Sequence, residues 1–289
     1  MKVKNSKRVV IIALLVLLQL AISSLAPFLS GALDSYLKVA AVKLIYALSY
    51  FVPYVLYRKM FKPIASSHIK HTFCEYKRPL FFVGFAAMVA FLQINIVLLE
   101  FVDPPSVSSV GVFDGVLGFA FSIVMYAVLP AITEELFSRG VIMRLGGFGM
   151  KAALLSGVIF GLCHFNPYKL VYTVGSGIVL SLIYLYSNDI KLSVYLHLAV
   201  NSTVLLLSYL AMAVPAGVYV AIECIVWLVV LGIGVYCCWI LLRDRGVEIH
   251  QKTKEIRKID KDISVGEIFS PAMIVVYVAI LAATVIRYI

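Results

Sequence analysis

The stretch VLGFAFSIVMYAVLPAITEELFSRG, Val116 to Gly140, decides how this chain is read. Its first seventeen residues, Val116 to Ile132, carry no charge. Two adjacent glutamates follow, Glu134 and Glu135, with Arg139 one helical turn beyond the second. An ionised carboxylate at bilayer depth costs at least a few kcal/mol, so acids at the end of such a run mark a functional site by default.

The whole chain supports a membrane setting. It has 289 residues, 62% hydrophobic and 14% charged, with mean hydropathy +1.00, whereas soluble domains average about 45–50% apolar and about 25% charged. A spanning helix needs about 20 mostly apolar residues. Nine segments qualify as candidates: 9–29, 36–57, 80–102, 115–138, 151–165, 168–187, 190–213, 217–242 and 271–288. The fifth is short and ends at Pro167, and the second carries Lys43. The expected fold is therefore all-α: a single polytopic membrane domain over 1–289 with eight or nine transmembrane helices and a catalytic core on the central ones.

The net charge of +10 is a topology signal. Of 25 Lys and Arg residues, 21 fall in Lys2–Arg8, Arg58–Arg78, Arg139–Lys151, Lys191 and Arg243–Lys261. These alternate with the other connections, so the positive-inside rule puts them and the N-terminus in the cytoplasm. Nucleic-acid binding is not expected; contact with anionic lipid is. The first apolar run is too long for a signal sequence and lacks a small-residue cleavage site, so it reads as an anchor. Five cysteines form no C-x-x-C pair and read as packing residues, with no disulfide framework. The stretch 243–270 mixes basic and acidic residues and reads as a cytoplasmic loop or surface helix, and Asp103 to Ser106 as an outer turn.

Three polar motifs interrupt the apolar spans. In the first, Glu135 and Arg139 are i and i+4 and can pair along one helix face, while Glu134 points roughly 100° away and stays available. The second is Phe160-x-x-x-His164, and the third His197-x-x-x-Asn201, which puts imidazole and amide on one face. At about 1.5 Å per residue, Glu134 lies roughly 16 Å from Leu145, His164 about 20 Å from Lys151 and His197 about 10 Å from Ile190, so all three can meet in one layer. Taken singly, each His or Asn is as well explained as helix-to-helix hydrogen bonding; Glu223, an acid with no partner motif, is such a bland case. The set is harder to explain by packing. Gly157 and Gly161 form a small-residue face that lets a neighbouring helix approach the segment ending in His164. Other chemistries fail: there is no H-E-x-x-H, Gly175-Ser176-Gly177 is not a nucleophile elbow, and adjacent Cys163 and His164 point to different faces.

In this order on successive segments, the motifs resemble those of the CPBP family, the CAAX proteases and bacteriocin-processing (Abi) enzymes. Glu134-Glu135-x-x-x-Arg139 resembles E-E-x-x-x-R, Phe160 and His164 resemble F-x-x-x-H, and His197 and Asn201 resemble H-x-x-x-N. The likeness covers Leu129 to Asn201, about a quarter of the chain, and marks 129–201 as the catalytic core. It implies an intramembrane endopeptidase in which Glu134 and His164 activate a water and His197 and Asn201 stabilise the oxyanion. Glu135 and Arg139 would be a structural pair, and Phe160 an orienting residue. The expected cofactor is none; zinc on the Glu, His and His set is the alternative.

The expected activity is cleavage of a peptide or lipidated protein near the cytoplasmic face of a bacterial plasma membrane, whether CAAX-prenyl-protease-like or processing of a bacteriocin or signal peptide. Two other classes compete: a non-catalytic bacteriocin-immunity or membrane-sensor regulatory protein, and an ion-coupled transporter, against which no internal repeat is visible.

Overall fold

The computed structural model describes residues 5–29, 35–61, 76–101, 115–257 and 263–286. Among these there is no strand. The helices are α1 (Asn5–Ser23), α2 (Ser35–Met60), α3 (Lys77–Leu99), α4 (Gly115–Leu145), α5 (Met150–Leu162), α6 (Leu170–Ser187), α7 (Ile190–Ala213), α8 (Ala216–Arg257), α9 (Val265–Ile268) and α10 (Pro271–Ile286). An apolar helix lies on each of the nine expected segments. Seven are long and apolar enough to cross a membrane; α5 and α10 are shorter apolar helices. The chain is an all-α polytopic membrane protein. The outer turn expected at Asp103–Ser106, residues 258–262 of the expected loop, and Lys2, Lys4, Lys62 and Lys70 lie outside the described residues.

The stretch 243–270 is not simply a loop. Helix α8 runs on to Arg257, and at 42 residues it is about 63 Å long, roughly twice a bilayer core. The extension is held by its far end. Ile256 is buried, and Thr253 shares a 2.8 Å hydrogen bond with the Tyr186 hydroxyl at the end of α6. Glu223 is not alone either: Trp227 Nε1, one turn on, donates to it at 3.2 Å.

The packing that matters to the site is α5 on α6. A Cβ on Gly157 would stand 2.6 Å from the backbone nitrogen of Ile178, and one on Gly161 2.6 Å from that of Val174. Only glycine allows this approach, as the small-residue face anticipates. Helix α3 packs against α6 and α8, α2 against α4, and α1 against α2 and α10. The α6–α7 turn is tight. Asn188 closes α6 in the left-handed conformation (φ 53°), and Asp189 caps α7 by accepting from the Lys191 N–H at 3.0 Å. The hairpin so formed carries His197 back along α6.

Two predictions follow from this frame. Gly161→Ala forces the α5 and α6 backbones apart and should destabilise by about 1–3 kcal/mol, seen as a lower unfolding midpoint in detergent; an unchanged midpoint would refute the close contact. Asp189 also pairs with Lys77 at 2.6 Å. Burial alone would raise its carboxyl, but the Lys77 bond and the Lys191 N–H outweigh this and hold it below the ordinary range. The resulting stability is present above the unfolded value of about 3.9 and is lost as pH falls through the lowered folded value. Asp189→Asn keeps the cap and loses the ion pair. It should unfold at lower temperature than wild type at pH 7, with the difference closing in acid.

Candidate active site

Helix α4 is irregular on both sides of the glutamates. Two π-helical turns, Val124–Val128 and Ser138–Ile142, bracket them, and such turns inside α-helices recur at functional sites. The first has a local cause. Pro130 has no N–H, so the carbonyl of Tyr126, four residues back, loses its helical donor. The Leu129 N–H bonds to Val124, and the Tyr126 carbonyl accepts from Asn201 Nδ2 on α7 at 3.3 Å. The proline thus fixes where the amide of Asn201 sits. In the second turn the Ser138 carbonyl accepts both the Met143 N–H and the Ser156 hydroxyl of α5 at 2.8 Å.

Glu135 and Arg139 are both completely buried and pair at 3.0 Å. Arg139 is the largest of the fully buried side chains among the described residues. Its Nη2 donates to the Gly177 carbonyl of α6 at 2.6 Å, and its guanidinium lies 4.9 Å from the Phe160 ring centroid. Glu135 Oε1 also meets His197 Nδ1 at 3.1 Å. The expected helix-orienting pair is therefore larger than its motif: it anchors an imidazole on another helix, a contact between residues 62 apart that the sequence does not signal.

His164 sits in the turn that ends α5. Phe165, buried and in the left-handed region at φ 51°, turns the chain there, and the Asn166 side chain accepts from the Tyr168 N–H at 3.0 Å. His164 Nδ1 lies 2.8 Å from the Phe160 carbonyl, which only accepts, so Nδ1 carries the hydrogen. The same holds for His197 Nδ1 facing the Glu135 carboxylate. In the neutral form both rings then present a bare Nε2. Both Nε2 atoms face one oxygen, Glu134 Oε2, at 3.9 Å from His164 and 4.0 Å from His197. That oxygen is buried and has no hydrogen-bond partner among the described residues.

The structure thus brings Glu134, His164, His197 and Asn201 together, with the Phe160 ring centroid 4.9 Å from the His164 ring, tilted to it, and 5.6 Å from the His197 ring, edge-on. Two cavities of about 240 and 170 Å³ share Lys43, Pro130, Glu134 and His164 in their walls. His197 and Asn201 line the smaller one, and Tyr46, Tyr50 and Thr133 the larger. Lys43 of α2 is the residue the motifs do not include; its signal is a lone charge in an apolar span.

Glu134 Oε2 and the two Nε2 atoms are donor types that suit zinc. Donors bonded at about 2.0–2.2 Å in a tetrahedral shell stand about 3.3–3.6 Å apart, closer than the 3.9 and 4.0 Å found here. Among the described residues no three His, Cys, Asp or Glu side chains are grouped to hold a metal ion. As placed, the set does not fit zinc. It suits a small polar molecule held between a carboxylate and two imidazoles.

Residues 116–203 match the family model of the type II CAAX prenyl endopeptidases, Rce1-like. The match contains all seven residues of the three motifs. No curated protein and no solved structure matches the chain.

The buried pair gives a direct prediction. Arg139→Met leaves the Glu135 charge uncompensated and should cost about 3–5 kcal/mol. Adding Glu135→Leu should restore much of that loss, as measured by denaturant unfolding in micelles. Equal stability of Arg139→Met and wild type would refute the pairing.

Proposed function

We propose, on the premise that residues 116–203 carry the sequence of an intramembrane protease family, that this chain is an endopeptidase whose water is activated by Glu134. The observation that carries the reading is the approach of one unpartnered carboxylate oxygen to two imidazole nitrogens in the wall of a cavity at membrane depth.

A water between these groups donates one proton to Glu134 and the other hydrogen bond to His164 Nε2. Its oxygen attacks the scissile carbonyl, and the developing oxyanion needs donors. Asn201 supplies its second amide hydrogen, since the first is held by the Tyr126 carbonyl. His197 faces the same place through Nε2, on a ring that the Glu135 carboxylate holds at Nδ1. Glu134 then returns its proton to the leaving amine, and the C–N bond breaks. Glu135 and Arg139 keep the geometry and take no part in proton transfer.

The substrate class is a peptide or lipidated protein reached from the cytoplasmic side, with the N-terminus also cytoplasmic, in a bacterial plasma membrane. The chemistry proceeds without a metal. Glu134→Gln should lower kcat by about 10²–10⁴-fold in proteoliposomes with the fold retained, and dialysis against a strong chelator should leave wild-type cleavage intact. Unchanged cleavage by Glu134→Gln would overturn the reading in favour of a binding or immunity protein. Loss on chelation that zinc restores would overturn the metal-free chemistry alone.

A further inference from the structure

His164 stands on backbone that belongs to no α-helix. Helix α5 ends at Leu162 and α6 begins at Leu170, with the short turn Pro167–Lys169 between them. The 13 residues of α5 put this stretch about 20 Å from Met150, a depth at which backbone groups need protein partners. One side chain from a third helix meets two of them. Asn95 of α3, 5% exposed, donates through Nδ2 to the Tyr168 carbonyl at 2.9 Å and accepts the Tyr172 N–H on Oδ1 at 3.2 Å.

The carbonyl only accepts and the N–H only donates, so the amide has one orientation. Tyr168 and Tyr172 are four residues apart. A helix running back through the turn would bond this carbonyl to this N–H directly, and the amide of Asn95 stands between them instead. It occupies the place where α6 would wind back one step toward His164. It also joins the turn to the start of α6, where Tyr172 and Thr173 share the wall of the smaller cavity with His164. An asparagine within a span ordinarily bonds helix to helix. Here both bonds go to main chain shortly past His164, and Asn95 lies outside the three motifs and outside the matched residues 116–203.

We propose that Asn95 is a positioning residue: its two bonds fix the turn Phe165–Lys169 and thereby hold the His164 imidazole at Glu134. The consequence for catalysis rests on the peptidase reading.

The test reads the ring first and cleavage second. Ring ¹⁵N spectra of the full chain, labelled at histidine and held in micelles, are assigned with His164→Gln and His197→Gln. In Asn95→Leu the Tyr168 carbonyl and the Tyr172 N–H are left to each other. The His164 signals should then shift or split, while those of His197, held by Glu135, stay in place. Asn95→Asp should restore the wild-type spectrum, because an ionised carboxylate is costly at this depth and the neutral acid offers one donor and one acceptor. Should Asn95→Leu not fold, Asn95→Ser, too short to span both groups, is read in the same way. Unchanged His164 signals, equal movement of both rings, or no restoration by Asn95→Asp overturns the proposal.

Cleavage is then followed in proteoliposomes, with the peptide that wild type cuts fastest from a mixture of fluorogenic apolar hexapeptides. Asn95→Leu should lower kcat about 10–10²-fold with KM little changed, and Asn95→Asp should recover most of the loss. Wild-type kcat in Asn95→Leu overturns the positioning role. No cleavage by wild type, with the His164 shift observed, counts against the peptidase reading and leaves the positioning of the ring standing.

Discussion

The arrangement depends on two charges that the membrane interior does not solvate. Glu135 and Arg139 are completely buried, and either one alone would be an uncompensated ion in a low-dielectric medium. Each reaches beyond the pair. Arg139 bonds to the Gly177 carbonyl of α6 and lies over the Phe160 ring of α5, while Glu135 holds His197 of α7. One ion pair on α4 thereby ties four helices around the cavity. Glu135 Oε1 is committed to Arg139 and His197, while its neighbour Glu134 turns Oε2 towards the two imidazole Nε2 atoms.

Backbone irregularity completes the constellation. Pro130 frees a carbonyl that an amide from α7 then occupies, so a residue with no reactive group sets the position of Asn201. Just past the end of α5 the left-handed Phe165 turns the chain after His164, and its burial holds a conformation that a bulky residue otherwise avoids. Strain, a missing donor and two π turns lie within a few residues of the cavity, whereas α6 and α7 are regular. The glycine contacts of α5 with α6 have the complementary role: they bring the backbones close enough for Arg139 to reach a carbonyl on the far helix.

Much of this was legible in the chain. Apolar runs mark every helix, because lipid demands long uncharged stretches, and the i, i+4 spacing of Glu135 and Arg139 is a local fact that a helix must realise. The division of the two glutamates follows from the same geometry. What lay beyond reach is what depends on distant pairing. The Glu135–His197 bond spans 62 residues, and no local pattern announces it. The 243–257 segment reads as a loop or a surface helix because its charges look solvated; the structure makes it a helix continuous with α8, held by Ile256 and Thr253 at one end. In the sequence Lys43 is only a charge within an apolar segment, whereas in space it lies beside Tyr126 and the cavity. A charge without a local partner is a clue to a site, and the sequence does not say which site.

The proposed division gives two adjacent acids separate tasks, Glu135 holding the fold and Glu134 the chemistry. It is tested most directly by unfolding Glu134→Gln and Glu135→Gln side by side in one membrane mimetic. Glu134 Oε2 has no hydrogen-bond partner among the described residues, so neutralising it should leave that variant about as stable as wild type. Neutralising Glu135 strands Arg139 and loosens His197, so that variant should unfold well before wild type. Equal destabilisation of the two, or a greater loss in Glu134→Gln, would contradict the division on which the account stands.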